Sequence, residues 1–233
     1  MLKKNPNYIE VSNQTWKNND LFSANLEKSK KLFVCDEMGL PTPKRLEVQA
    51  LVSGLPFSNE LISKITSIQQ KINELVSHNK VYWVFPENLG IEYAVFKWPN
   101  DNHLSKNQIN IVINVLNSYE FLNFPIEFSG FQLNPDGCVI LRGYDIKGSF
   151  GRVRSHIKQE IRFLPSKQSS WFHIPMGRIL EPVGADCFKK IKNIIDKSHQ
   201  SLTHLETINS IKLVHEKQWY MVDKIILHEI RGK

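Results

Sequence analysis

Ser169-Ser170-Trp171-Phe172-His173-Ile174-Pro175-Met176-Gly177-Arg178-Ile179-Leu180 is the stretch whose reading decides the fold. Its residues alternate. Phe172, Ile174 and Met176 fall on one face, and His173, Pro175 and Gly177 on the other, which is the period of a half-buried strand. The face opposite the apolar one carries an imidazole, a rigid ring and a glycine. Gly177 admits close approach to the backbone. Arg178 ends the run with a guanidinium able to fork onto a phosphate or a carboxylate. Two readings follow: a phosphate site lifted off a strand, or a plain strand whose histidine is exposed or paired with a neighbour. Periodicity alone does not separate them.

The 233 residues give room for one large domain or two small ones. With 41% hydrophobic and 23% charged residues, the composition is that of a soluble globular protein. A net charge of +7 favours anionic partners: nucleic acid, nucleotides or an acidic membrane surface. Cys35, Cys138 and Cys187 are far apart and form no CxxC, which argues against a disulfide framework or a zinc knuckle and for a reducing compartment. Residues 1–20 are polar and lack the apolar core of a classical signal peptide. No apolar run reaches the length of a membrane span, so a cytoplasmic protein without membrane contact is expected. The histidines other than His173 (His78, His103, His156, His199, His204, His215 and His228) show no His-x-His or HExxH spacing. That pattern predicts no metal site, and nothing in the chain calls for a cofactor.

Periodicity lays out the elements. Residues 1–19 read as irregular. Asp20 can cap a helix to about Glu37, stopped by Gly39, Pro41 and Pro43. Residues 45–55 are ambiguous. Ser58 opens a helix with Leu61, Ile62, Ile65, Ile68, Ile72, Leu75 and Val76 on one face. Strands are predicted over 81–85 and 91–98. Ser105-Lys106-Asn107-Gln108 is a capping box for the next helix. Strands 124–133 and 139–142 pair across Asn134-Pro135-Asp136-Gly137. Residues 142–162 hold Arg142, Lys147, Arg152, Arg154, Lys158 and Arg162 against Asp145 and Glu160. With Gly143, Gly148 and Gly151 among them, part of the segment reads as a flexible loop. It is either a solvated surface or a phosphate contact. A helix from Asp186 and strands over 203–216 and 219–229 complete the chain.

A long-range echo organises these elements. Strand 91–98, the helix from Ser105, and strands from Phe124 and Val139 form one strand–helix–strand–strand unit. Strand 171–180, the helix from Asp186, and strands from Thr203 and Trp219 form a second. The predicted fold is α+β and bilobal, with antiparallel sheets around a central cleft and helices outside. Residues 1–79 are predicted as a helical extension packed on a main domain of residues 80–233.

At this point the chain resembles the two-histidine (2H) phosphoesterases: the LigT-like, 2′,5′-RNA-ligase-like and cyclic-nucleotide phosphodiesterase proteins. That family carries His-x-Thr/Ser on the opening strand of each lobe. One histidine is the general base, the other the general acid, and the hydroxyls hold the phosphate. His173-Ile174-Pro175-Met176-Gly177-Arg178 reads as the second motif, with Pro175 at the hydroxyl position. In the first, Ile91-Glu92-Tyr93-Ala94-Val95-Phe96-Lys97-Trp98, Tyr93 stands at the histidine and Val95 at the hydroxyl. The resemblance implies His173 and Tyr93 as the catalytic pair and Val95 and Pro175 as cleft-lining. Arg178, Lys97, Arg152 and Arg154 are the phosphate-binding candidates. Each also has a plainer reading: Tyr93 as a strand-favoured aromatic, Lys97 as a strand-end surface lysine, and Trp83, Phe85, Phe96, Trp98, Phe131, Trp171 and Phe172 as core aromatics rather than base-stacking platforms.

The replaced residues matter chemically. Cleaving a cyclic phosphate or a 2′,5′ linkage needs one group to take a proton and another to give one. Tyrosine is a poor base, and Val95 and Pro175 have nothing to donate to a phosphate oxygen. Three functions are therefore expected to compete. One is a divergent phosphodiesterase acting on a cyclic nucleotide or RNA end. Another is an inactive module binding a nucleotide or RNA in the same cleft. The last is a protein-interaction role centred on residues 1–79.

Overall fold

The computed structural model describes residues 6–120 and 122–233. The N-terminal part holds helices α1 (Pro6–Trp16) and α2 (Ser23–Lys30) and a small hairpin, β1 (Phe33–Cys35) and β2 (Pro41–Pro43). Then come β3 (Val48–Gly54), α3 (Asn59–Asn73), β4 (Val81–Trp83), β5 (Gly90–Lys97) and α4 (Lys106–Ser118). β6 (Phe124–Leu133), β7 (Cys138–Tyr144), α5 (Ser149–Glu160), β8 (His173–Ile179) and α6 (Ala185–Ser201) follow. The chain ends with β9 (Thr203–Ile208), β10 (Ser210–Gln218) and β11 (Asp223–Arg231).

Two antiparallel sheets result. One has four strands in the order β11-β10-β3-β5, the other five in the order β4-β8-β7-β6-β9. Helices α3 and α6 cover the outer face of the five-stranded sheet, and α4 and α5 lie on the outer side of the four-stranded one. This is an α+β fold with helices outside. The lobes are not the two halves of the chain, however. The last two strands, β10 and β11, return to the sheet of β3 and β5.

Local chemistry accounts for most elements. Ser58 caps α3 by accepting from the Leu61 amide, and Leu61, Ile65, Ile68 and Ile72 are buried along one stripe. The capping box of α4 is present in both directions between Ser105 and Gln108. Gly137, at φ +82°, closes the β6–β7 hairpin, where a side chain would run into the Ile179 carbonyl.

Several expectations are corrected. In residues 142–162 the non-helical connection is short, 145–148, and α5 occupies most of the rest, with Phe150, Val153 and Ile157 buried, a helix the sequence reading did not foresee. Three glycines masked that 3–4 spacing. Residues 6–16 form a helix rather than irregular chain, and the helix expected to Glu37 stops at Lys30. There Asp36 Oδ1 accepts from the Met38 and Leu40 amides and turns β1 into β2. The boundary at residue 79 does not hold either. Strand β3 is hydrogen-bonded between β5 and β10, and its first six residues are buried. Only the part before β3 stands outside the two sheets.

Candidate functional site

Between the sheets lies a cavity of about 270 Å³. Strands β3 and β5 bring Val48, Val52, Gly90 and Glu92 to it, β8 brings His173, Pro175 and Arg178, and β10 brings Glu216. Trp98, Trp171 and Trp219 also line it.

His173 is where the alternation of β8 predicts. Its Nδ1 is buried without a hydrogen bond, and its ring meets Trp171 edge-on at 5.7 Å between centroids. Burial, then the nearby charge of Arg154, lowers its pKa to about 4. Near neutral pH it is an uncharged imidazole that accepts or donates a hydrogen bond but holds no proton to give up as an acid. Pro175 and Arg178 share this face. Gly177 does not: a bulge at Met176 turns it outward, where its missing Cβ leaves room for the Trp83 ring. The Arg178 guanidinium is anchored on three sides, by Tyr220 Oη at 2.9 Å, Ser29 Oγ at 2.6 Å and Asp136 Oδ2 at 3.0 Å.

Strand β5 departs from its expected faces. Simple alternation predicts Tyr93, Val95 and Lys97 toward the cleft. The register against β3 slips between Leu51 and Val52, so that Leu51 pairs with Ala94 but Val52 with Glu92. That bulge puts Gly90 and Glu92 on the cavity and turns Tyr93 outward. Tyr93 is 3% exposed, shares a hydrogen bond with Ser53 Oγ at 2.9 Å and stacks on Phe150. Burial pushes its phenol pKa up. It does not converge with His173.

Lys97 is likewise placed elsewhere. A second slip at Phe96 pairs it with Gln49, and its Nζ donates to the Glu47, Trp98 and Pro99 carbonyls. Val95 sits with Val48, Ala50, Val52 and Val214 in an apolar cluster on the inner face of the four-stranded sheet. Of the basic segment, Arg152 is exposed and bonds the Lys147 carbonyl and Ser149 Oγ. Arg154 turns inward, but to hold backbone. It donates to the carbonyls of Glu92 and Trp171 at 2.8 Å and of Tyr93 at 3.1 Å. It thereby ties β5 to the segment entering β8.

Three contributors were not singled out from sequence. Burial raises the Glu92 carboxyl to about 6, against the pull of Arg154. Burial likewise raises Glu216 to about 8, although it accepts a hydrogen bond from the Met221 amide. Tyr220 reaches the cavity from the β10–β11 turn in the left-handed region, at φ 61°, an unusual conformation for a bulky residue. A charged residue between Ile91 and Tyr93 was a legible signal for Glu92; the turn geometry of Tyr220 had none.

The N-terminal part closes one side. Tyr8 donates to the Phe172 carbonyl and packs edge-on against Trp171 at 5.1 Å, in a cluster with Cys138 and Ile140. Ser29 bonds the Asp136 carbonyl, and Leu26 is fully buried.

This two-sheet frame recurs in known structures. LigT of E. coli in its apo form superposes with a TM-score of 0.56 at 9% identity, over 82% of this chain and 99% of that one. TT0787 of Thermus thermophilus gives 0.56 at 11% identity, over 80% and 99%. The conserved protein ATU0111 of Agrobacterium tumefaciens gives 0.58 at 12%, over 78% and 84%. The chain has the two-histidine phosphoesterase fold. No protein-family model and no curated protein matches the sequence. In this chain β8 brings His173 to the cavity and β5 brings Gly90 and Glu92. Among the described residues, no helix is long and apolar enough to cross a membrane.

Proposed function

We propose that the chain is a binding module that holds a nucleotide-class small molecule by its base and does not hydrolyse it. The observation that carries this reading is the content of the cavity: one uncharged imidazole, two carboxyls and three tryptophans, with its one guanidinium already anchored. A phosphodiester needs cations to offset its charge and an acid–base pair to cleave it. A heterocyclic base needs flat apolar walls and hydrogen-bond partners for its amino and ring nitrogens, which tryptophans, carboxylates and imidazole supply. The fold supports the ligand class by analogy, since E. coli LigT has been solved with ATP, with 3′-AMP and with NADP+.

The test is calorimetric titration of nucleosides, nucleotides and 2′,3′-cyclic nucleotides, beside a turnover assay of cyclic nucleotides and 2′,5′-linked oligonucleotides. The expected result is saturable binding weakened by Glu92→Gln and by Trp219→Ala, shared by nucleoside and nucleotide, with shallow salt dependence and no turnover. Steep salt dependence would place the affinity on phosphates and refute the base-held reading. Turnover abolished by His173→Ala would replace it with the hydrolytic one. Absence of binding by every probe would refute both.

A further inference from the structure

Outside the cavity, the fold gathers three metal-ligand side chains that lie far apart in sequence. Glu47 precedes β3, His103 lies in the loop before α4, and His215 is in β10. One ligand atom from each lies within 4.8 Å of the other two. Oε2 of Glu47 is 2.8 Å from Nε2 of His103 and 3.8 Å from Nε2 of His215. The two imidazole centroids are 5.7 Å apart. The Nε2 of His215 is buried and makes no hydrogen bond. It is aimed at a carboxylate oxygen that is too far away to satisfy it and close enough to share an ion with it.

We infer that Glu47, His103 and His215 form a binding site for a divalent transition-metal ion of the zinc class. Zinc takes imidazole nitrogen and carboxylate oxygen at about 2.0–2.2 Å, so the edges of its tetrahedron are about 3.4 Å long. The two edges to Glu47, 2.8 Å and 3.8 Å, bracket that length. The edge between the two histidines is at most 4.8 Å, so closing the site takes shifts of about an ångström or less, from an exposed His103 and a half-buried Glu47. Two histidines and one carboxylate leave one coordination position open, on the side of exposed His103, for water or a small anion. Softer thiolate-selecting ions are disfavoured because no sulfur is present. The site is separate from the cavity: His215 pairs with Gln49, and its neighbours Val214 and Glu216 point to the opposite face of β10. An ion there would pin the loop carrying His103 onto the middle of the four-stranded sheet, which makes it a clip between three segments.

The experiment is titration of the full-length, tag-free protein with zinc chloride by calorimetry, with cobalt(II) absorbance as a geometric readout and circular dichroism as the folding control. The expected result is one ion per chain, tetrahedral-type cobalt bands, and a melting temperature that rises with zinc. Removing one of three direct ligands weakens affinity by at least about 100-fold. His103→Ala, at a 59% exposed side chain, leaves the fold intact and should abolish the cobalt bands and the thermal shift. His215→Gln should do the same from the buried side. No stoichiometric binding by the folded wild type, or binding that both variants retain, overturns the inference.

Discussion

Replacing His173 by glutamine changes how the stability of the protein depends on pH, by an amount fixed by where the imidazole sits. Burial, helped by Arg154, holds the folded-state pKa at about 4, against 6.5 for the free side chain. The folded value is the lower one. Between these values the unfolded chain binds a proton that the folded chain refuses, so stability falls as the solution is acidified from about pH 6.5 toward pH 4. The integrated difference is about 2.5 kcal/mol at pH 4.5 and about 0.2 kcal/mol at pH 7. Partial solvent access from the cavity mouth brings the first figure to about 2 kcal/mol. Glutamine keeps a hydrogen-bonding side chain but has no titration. Urea unfolding of both proteins at the two pH values gives a double difference from which the other titrating groups cancel. The expected result is that His173→Gln gains about 2 kcal/mol relative to wild type on going from pH 7 to pH 4.5. A double difference under about 0.5 kcal/mol would mean that the imidazole is protonated at its ordinary pH, and that it was available as an acid after all.

Glu92 has the opposite sign. Its folded pKa of about 6 exceeds the ordinary 4.5, so its stabilising neutral form is lost as pH rises through 6. Glu92→Gln should gain about 1.5 kcal/mol over wild type between pH 4.5 and pH 7 in the same urea assay, and no gain would place the carboxylate in open water. Arg154→Met strips a charged donor from three carbonyls and should cost about 3 kcal/mol or more in thermal or chemical unfolding. A cost below about 1 kcal/mol would show that the β5–β8 tie is not held there. Gly177→Ala puts a methyl 2.3 Å from Trp83 Cε3 and 2.5 Å from the Tyr82 carbonyl, so a loss of about 2–3 kcal/mol is expected, and a neutral effect would mean that β4 can move away.

The sequence was most informative where one face of an element is buried and nothing interrupts its period. The α3 stripe, the α4 capping box, the β6–β7 hairpin and the shared face of His173 and Pro175 on β8, up to the bulge at Met176, all read correctly because the local rule and the tertiary environment agree. Reading failed where a partner decides. Strand β3 is buried on both faces and so shows no alternation, and β10 and β11 were assigned to the wrong sheet because pairing partners far apart in sequence leave no local trace. Helix α1 is polar except for a few anchors, and its stability comes from Tyr8 docked against Trp171 and Thr15 bonded to the Leu133 carbonyl. Spacing rules also missed the Glu47–His103–His215 cluster, since a site assembled from three separate segments has no motif.

The misreading of β5 and the side chains that β5 brings to the cavity share one physical origin. A strand with period two assigns every residue to a face only while the ladder is unbroken. Between Gly90 and Lys97 the ladder breaks twice, at Tyr93 and at Phe96. Each bulge shifts the residues beyond it by one, so Val95 reaches the inner face while Tyr93 and Lys97 leave it. What β5 brings to the cavity of His173 is a glycine, which offers no side chain, and Glu92, whose carboxyl pKa is raised to about 6 by burial. Arg154 holds this arrangement in place by bonding the carbonyls of Glu92 and Tyr93, the two residues at the first bulge. Burial, with the same guanidinium adding to it, lowers the His173 pKa. The placement of Glu92 on the cavity and of Tyr93 off it is thus set by the backbone of β5 and its clamp.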